Sequence, residues 1–90
     1  MKYSIVIPTK NEEETLREVL KNIVGLTDDV FIVDGHSTDR TLEIAKEFNV
    51  KCYLDNKLGK GDAIRLSLTK SKYPITVFID ADGSHDHNDI

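Results

Sequence analysis

The chain has 90 residues, 39% of them apolar and 31% charged, and its formal net charge is −4 with histidine neutral. That length allows one domain at most, residues 1–90, near the small end of what builds a stable core, and the negative charge argues against a nucleic-acid footprint. The lone Cys52 excludes an internal disulfide and fits a reducing compartment, while no apolar stretch approaches the roughly 20 residues of a membrane span.

The first residues run straight into a strand-like segment, so no secretory leader is expected. Residues 3–7 (YSIVI) are short, β-branched and apolar, and Pro8 closes them; they predict a buried strand. Asn11 is placed to cap a helix over Glu12, Glu13 and Glu14, whose charges suit the positive end of the helix dipole. Leu16, Val19, Leu20 and Ile23 recur at helical spacing, with Gly25 as a stop. Residues 30–33 (VFIV) predict a second buried strand, ending in the turn formers Asp34-Gly35-His36-Ser37-Thr38-Asp39. A second helix follows, with Leu42, Ile44, Ala45 and Phe48 as its apolar positions. Residues 50–54 predict a weaker third strand and residues 56–61 a loop. Ala63, Ile64, Leu66 and Leu68 mark a third helix, which Pro74 bounds. Residues 75–79 (ITVFI) predict the fourth strand.

The order is βαβαβαβ. Continuous apolar strands alternating with helices imply an α/β fold of three layers, α/β/α, around a mainly parallel sheet. In such sheets ligands bind beyond the carboxyl ends of the strands, near a switch in strand order. Those ends are Pro8-Thr9-Lys10-Asn11-Glu12, Asp34-Gly35-His36-Ser37 and Asp80-Ala81-Asp82, so the conspicuous polar residues fall on one rim.

Asp80 and Asp82 stand two apart at the end of a strand, where extended backbone points both the same way. They read either as exposed loop acids or as oxygen ligands for Mg²⁺ or Mn²⁺, a cation that would neutralise a diphosphate. His85 and His87 follow, as an extension of that site or as a solvated tail. Zinc is disfavoured, because no cysteine is near and carboxylates dominate. Asp34 is placed to accept hydrogen bonds from a base or ribose, or to shape its own turn. Ser37, Thr38 and Asp39 suit helix capping. Gly59-Lys60-Gly61 opens the third helix and offers a flexible loop or an anion site. A Walker A ending is absent, and no G-x-G-x-x-G follows the first strand. A receiver-like signalling domain would require an acidic pair after the first strand, where Pro8-Thr9-Lys10 stands, and leaves only Asp55 as a phosphate acceptor.

Four segments together resemble the family 2 glycosyltransferases of the GT-A fold: SIVIPTKNEEETL (4–16), VDGHSTDRT (33–41), GKGDAIRLSL (59–68) and VFIDADGSHDHNDI (77–90). Within that family, DADGSH looks most like the enzymes that load mannose or glucose onto a polyprenyl or dolichyl phosphate. The resemblance implies a nucleotide-sugar site. Pro8, Lys10 and Glu12 would line its pocket, Val33 and Asp34 would lie at the base or ribose, and Lys60 would face the donor. Asp80, Ala81 and Asp82 would form the D-x-D site, with Asp82 a direct ligand of Mg²⁺ or Mn²⁺. Ser84 matches a position that reaches the metal in relatives. Two departures stand out: Lys10 replaces a common Tyr, and Gly35 replaces a common second Asp, which leaves GDP- and UDP-sugars both open as donors. The resemblance also implies that the chain is truncated after the D-x-D. The catalytic base and the acceptor site would lie downstream, and 90 residues alone would transfer little or no sugar. A homodimer through the exposed edge of the fourth strand is expected, as is a cytoplasmic location with peripheral contact at the membrane face. The alternative function is a nucleotide-binding module without catalysis.

Overall fold

A computed structural model describes residues 2–56 and 60–81, with only the backbone described at Lys60. The elements are β1 (Ser4–Thr9), α1 (Leu16–Ile23), β2 (Asp29–Asp34), α2 (Thr41–Glu47), β3 (Lys51–Leu54), α3 (Lys60–Lys70) and β4 (Thr76–Phe78). The strands pair in the order β3-β2-β1-β4, all parallel. Strand order therefore reverses at β1, between the neighbours β2 and β4. Helices cover both faces, as the sequence pattern predicts.

The apolar runs in β1 and β2 follow from this layering. Ile5, Ile7 and Ile32 face α1 and α2, where Leu16, Leu20, Ile23, Ile44 and Ala45 complete the larger core. Val6, Phe31 and Val33 point the other way, towards Tyr53 and the α3 residues Ala63 and Leu66. A strand buried on both faces has no polar side to show. Phe31 and Tyr53 meet edge to face, with centroids 5.6 Å apart at 82°, a favoured aromatic geometry.

Four local expectations change. Pro8 lies inside β1, opposite Val33, rather than ending it. Ser4 N–H donates to Ile75 O (2.8 Å) and Ile79 N–H to Val6 O (3.0 Å), so the even-numbered residues of β1 face β4. Pro8 shares that parity but lies past the end of β4, where its missing N–H breaks no ladder bond. Asn11 does not cap α1. The helix begins at Leu16, after a turn closed by Glu12 O, and Asn11 sits at φ 55. Thirdly, Ile64 and Leu68 are 43% and 57% exposed, because Ala63, Leu66 and the buried Ser67 take the inner face of α3. Ser67 is tolerated there because its hydroxyl donates to Ala63 O (2.8 Å). Finally, the third strand starts at Lys51 and the fourth is only three residues long.

At the rim opposite the site, Asp29 accepts from Ser4 Oγ (2.5 Å) and from Lys72 N–H (2.7 Å), tying the α3–β4 connection to the sheet. Asp28 accepts from the Tyr73 hydroxyl (2.7 Å) and from Lys72 Nζ (3.1 Å). Among the described residues no helix is long and apolar enough to cross a membrane.

Leu20 has no exposed surface. Leu20→Ala should lower the unfolding free energy in urea by about 3 kcal/mol, whereas the exposed Leu68→Gln should change it by less than about 0.5 kcal/mol. The Tyr73 hydroxyl, and then Lys72, hold the Asp28 carboxyl below its ordinary 3.8. A depressed carboxyl stabilises the fold above its unfolded pKa, and that contribution is lost as pH falls through the lower folded value. Urea titrations at a series of pH values should therefore show a shallower loss of stability below pH 3.8 for Asp28→Asn than for the parent chain.

Candidate donor site at the carboxyl ends of the strands

The loops after β1 and β2 are joined through one buried carboxylate. Asp34 ends β2 with no exposed surface. Its Oδ1 accepts from Thr9 Oγ1 (2.6 Å) and Ser37 Oγ (2.6 Å), and its Oδ2 accepts from Ser37 N–H (2.7 Å). A buried carboxylate requires such donors, since desolvating its charge is otherwise prohibitive. Gly35 N–H donates to Thr9 O (2.8 Å), continuing the pairing past the strands.

Further contacts extend the junction. Asn11 Oδ1 accepts from Thr38 N–H (2.7 Å) and Asp39 N–H (3.3 Å), while Asn11 N–H donates to Ser37 Oγ (2.8 Å). Glu12 N–H donates to Thr41 Oγ1 (2.8 Å). Burial opposes the charge on Asp39, but the Thr41 hydroxyl and the N–H groups of Thr41 and Glu13 outweigh it and hold this carboxyl below the ordinary range. So Asn11 and Ser37 spend their polar atoms between loops, while Asp39 divides its own: Oδ2 accepts from Glu13 N–H (3.2 Å) and Oδ1 from Thr41 N–H (2.9 Å) at the start of α2, the capping role expected of it. The residue preceding α2 is Arg40, which makes no side-chain cap.

Lys10 lies along the same surface. Its Nζ donates to Gly35 O (2.7 Å) and His36 O (3.1 Å). A Cβ at Gly35 would come within 3.4 Å of Asp55 Oδ2 and 3.5 Å of Lys10 Cδ. A β-carbon at 35 would thus rest in ordinary van der Waals contact with the stem of Lys10. His36, at φ 65, brings Nε2 within 2.8 Å of Asp55 O, and Asp55 N–H donates to Asp34 O (2.9 Å). The end of β3 is thereby docked onto the same junction.

Three of the candidate residues meet across the strand order. Pro8, Val33 and Asp80 line one cavity of about 210 Å³, closed by Ala63, Ile64, Ser67 and Phe78. It lies beside the carboxyl ends of β1 and β4, where the strand order switches. Its walls are apolar and Asp80 supplies the charge, the composition expected of a ligand pocket. Lys10 and Glu12 lie on the neighbouring loop and do not line it. Ala81 is buried, at 1% exposure. Lys60 opens α3. Asp82, Ser84, His85 and His87 lie outside the described residues.

Among the described residues no three histidine, cysteine or acidic side chains gather as a metal site. A larger concavity of about 310 Å³ lies between α1 and α2, lined by Glu13, Glu14, Arg17, Arg40, Ile44 and Glu47. Its arginines are already paired, Arg17 with Glu47 and Arg40 with Glu43, and it lies away from the strand switch. Cys52 offers no ready nucleophile: burial, and then the Asp34 charge, push its thiol above the ordinary value.

Thr9, Asn11, Ser37, His36 and Asp55 emerge as site builders only in three dimensions. The signal for Thr9 was parity, since it falls on the inward face with Ile5 and Ile7. For Asp55 it was position, at the end of a third strand on the same rim.

Comparison with known proteins fits this geometry. The glycosyl transferase family 2 model matches residues 4–90. An uncharacterized glycosyltransferase of Mycobacterium tuberculosis is 35% identical over 88 residues, covering 97% of this chain and 39% of the relative. A dolichol-phosphate mannosyltransferase of Pyrococcus furiosus is 33% identical over 94 residues, covering 94% and 27%. Glucosyl-3-phosphoglycerate synthase from Mycobacterium tuberculosis, crystallised with Mn²⁺, UDP and glucosyl-3-phosphoglycerate, superposes with a TM-score of 0.80 at 30% identity, covering 89% of this chain and 33% of that one. This chain thus spans well under half the length of these relatives. With a parallel α/β sheet that matches GT-A neighbours and a family model that covers residues 4–90, the chain belongs to glycosyltransferase family 2.

Proposed function

We propose that these residues form the donor-binding part of a metal-dependent glycosyltransferase that takes a nucleoside-diphosphate sugar. The observation that carries this reading is the shared cavity of Pro8, Val33 and Asp80 at the strand switch. Its residues suit the task. Pro8 and Val33 offer an apolar wall to a base or sugar face. Asp80 is an exposed carboxylate at the mouth, and oxygen donors of this kind fit Mg²⁺ or Mn²⁺. Asp80 and Asp82 would hold the cation, with Ser84 and His85 as further candidates. When bound, the metal supplies charge neutralisation for the departing nucleoside diphosphate. Lys60 and the start of α3 would face the phosphates.

Asp34, with its oxygens engaged by Thr9 and Ser37, holds the loop against which the base would rest. Lys10, laid over the Gly35 and His36 carbonyls, covers the space that a second Asp would fill, and Glu12 sits at the turn before α1. Structural neighbours crystallised with UDP favour uridine over guanine. The acceptor is proposed to be a polyprenyl phosphate, supported by the dolichol-phosphate relative, with the protein at the cytoplasmic membrane face. No catalytic base is assigned to the 90 residues, and acceptor orientation is proposed to come from elsewhere in the enzyme.

Calorimetric titration of the chain with Mn²⁺ and UDP should show metal-dependent binding, with GDP weaker. Asp80→Asn should reduce that binding about 10-fold, or about 1.4 kcal/mol. No heat with either nucleotide in the presence of Mn²⁺ would sink the reading.

The same chain presents an apolar edge. Val77 and Phe78 are 38% and 42% exposed, on a strand bonded only to β1 among the described residues, and Ile75 just before it is 45% exposed. Two copies are proposed to pair there. Light scattering should report a dimer that Val77→Lys returns to monomer.

A further inference from the structure

Thr15 stands directly before α1, in the position where a threonine ordinarily caps the helix. It makes no such cap. Its hydroxyl instead donates to the carbonyl of Ala81, 66 residues away in the chain. The hydroxyl is thus given to a distant carbonyl instead of to the helix end.

The surroundings of Ala81 show what this bond holds. The last sheet bond of the fourth strand is Ile79 N–H to Val6 O (3.0 Å). Beyond it, among the described residues, two contacts hold the chain. The Ala81 methyl is buried in the larger core, at 1% exposure, and the Ala81 carbonyl is held by Thr15. Consecutive side chains of an extended segment point to opposite sides. With Ala81 turned into the α1/α2 core, Asp80 is turned to the other face, where it lines the cavity with Pro8 and Val33. Thr15 holds the carbonyl of the residue whose burial sets that rotation. It also links the loops after β1 and β4 across the strand switch, because the turn before α1 is closed on Glu12 O.

We infer that Thr15 is a positioning residue for Asp80: by holding the Ala81 carbonyl, its hydroxyl aims the Asp80 carboxylate at the cation. The inference rests on the donor-site reading only in taking Asp80 to hold that cation. Supporting side chains of this kind change metal affinity about 10–100-fold when removed.

The test compares Thr15→Val, which keeps the branched shape and loses the donor, with Thr15→Ser, which keeps the donor. Three measurements are made on the chain: Mn²⁺-dependent UDP binding by calorimetry, amide hydrogen exchange at residues 79–81, and global stability in urea. Thr15→Val should weaken Mn²⁺-dependent UDP binding about 10-fold and speed exchange at residues 79–81. UDP binding without metal should stay unchanged. Thr15→Ser should match the parent chain in all three. Equal Mn²⁺-dependent binding in Thr15→Val and parent overturns the inference, as does a loss that metal-free UDP binding or global stability shares in full. If the parent chain binds neither Mn²⁺ nor UDP, the donor-site reading fails, and the exchange measurement then decides the positioning role alone: unchanged protection at residues 79–81 in Thr15→Val overturns it.

Discussion

The Asp34 carboxylate organises the functional end of the molecule. It is fully buried, and each of its oxygens takes donors from the chain itself. Such a group is stable only if its partners stay in place, because losing one leaves a desolvated charge short of a donor. Thr9 and Ser37 are therefore fixed relative to each other, and with them the ends of β1 and β2. The neighbouring contacts of Asn11, Asp39, Lys10 and His36 build outward from that junction.

The site owes its location to the strand order. Because β1 lies between β2 and β4, the connections from β1 and β3 leave towards opposite faces, and a crevice opens between β1 and β4. The sheet interior is apolar on both faces, so charge can gather only at the rims. At one rim Asp28 and Asp29 tie the chain together through Lys72, Tyr73 and Ser4. At the other, Asp34 consumes its charge internally, while Asp80 presents its charge to the cavity. Two acids at strand ends thus carry opposite duties, and burial separates them.

Lys10 and Gly35, the two departures from the family pattern, are in contact. The lysine donates to the Gly35 carbonyl and its stem fills the space above it. The two departures therefore fall on one surface, between the loops after β1 and β2.

The alternation of apolar runs and helical spacings determined the α/β class, the number of strands and the rim on which polar residues collect. These depend on local periodicity, and periodicity is written in the chain. The resemblance of four segments pointed to the family for the same reason: motif spacing is linear information. What only the tertiary structure decided was which polar groups remain available. Asn11 and Ser37 read as helix caps but bridge loops, Pro8 sits within a strand rather than after it, and Ile64 and Leu68 lie outside the core. The bond between Thr15 and Ala81 carries no signal until the chain folds back to join two residues 66 positions apart. A hydrogen bond depends on distance in space, which no spacing along the sequence encodes.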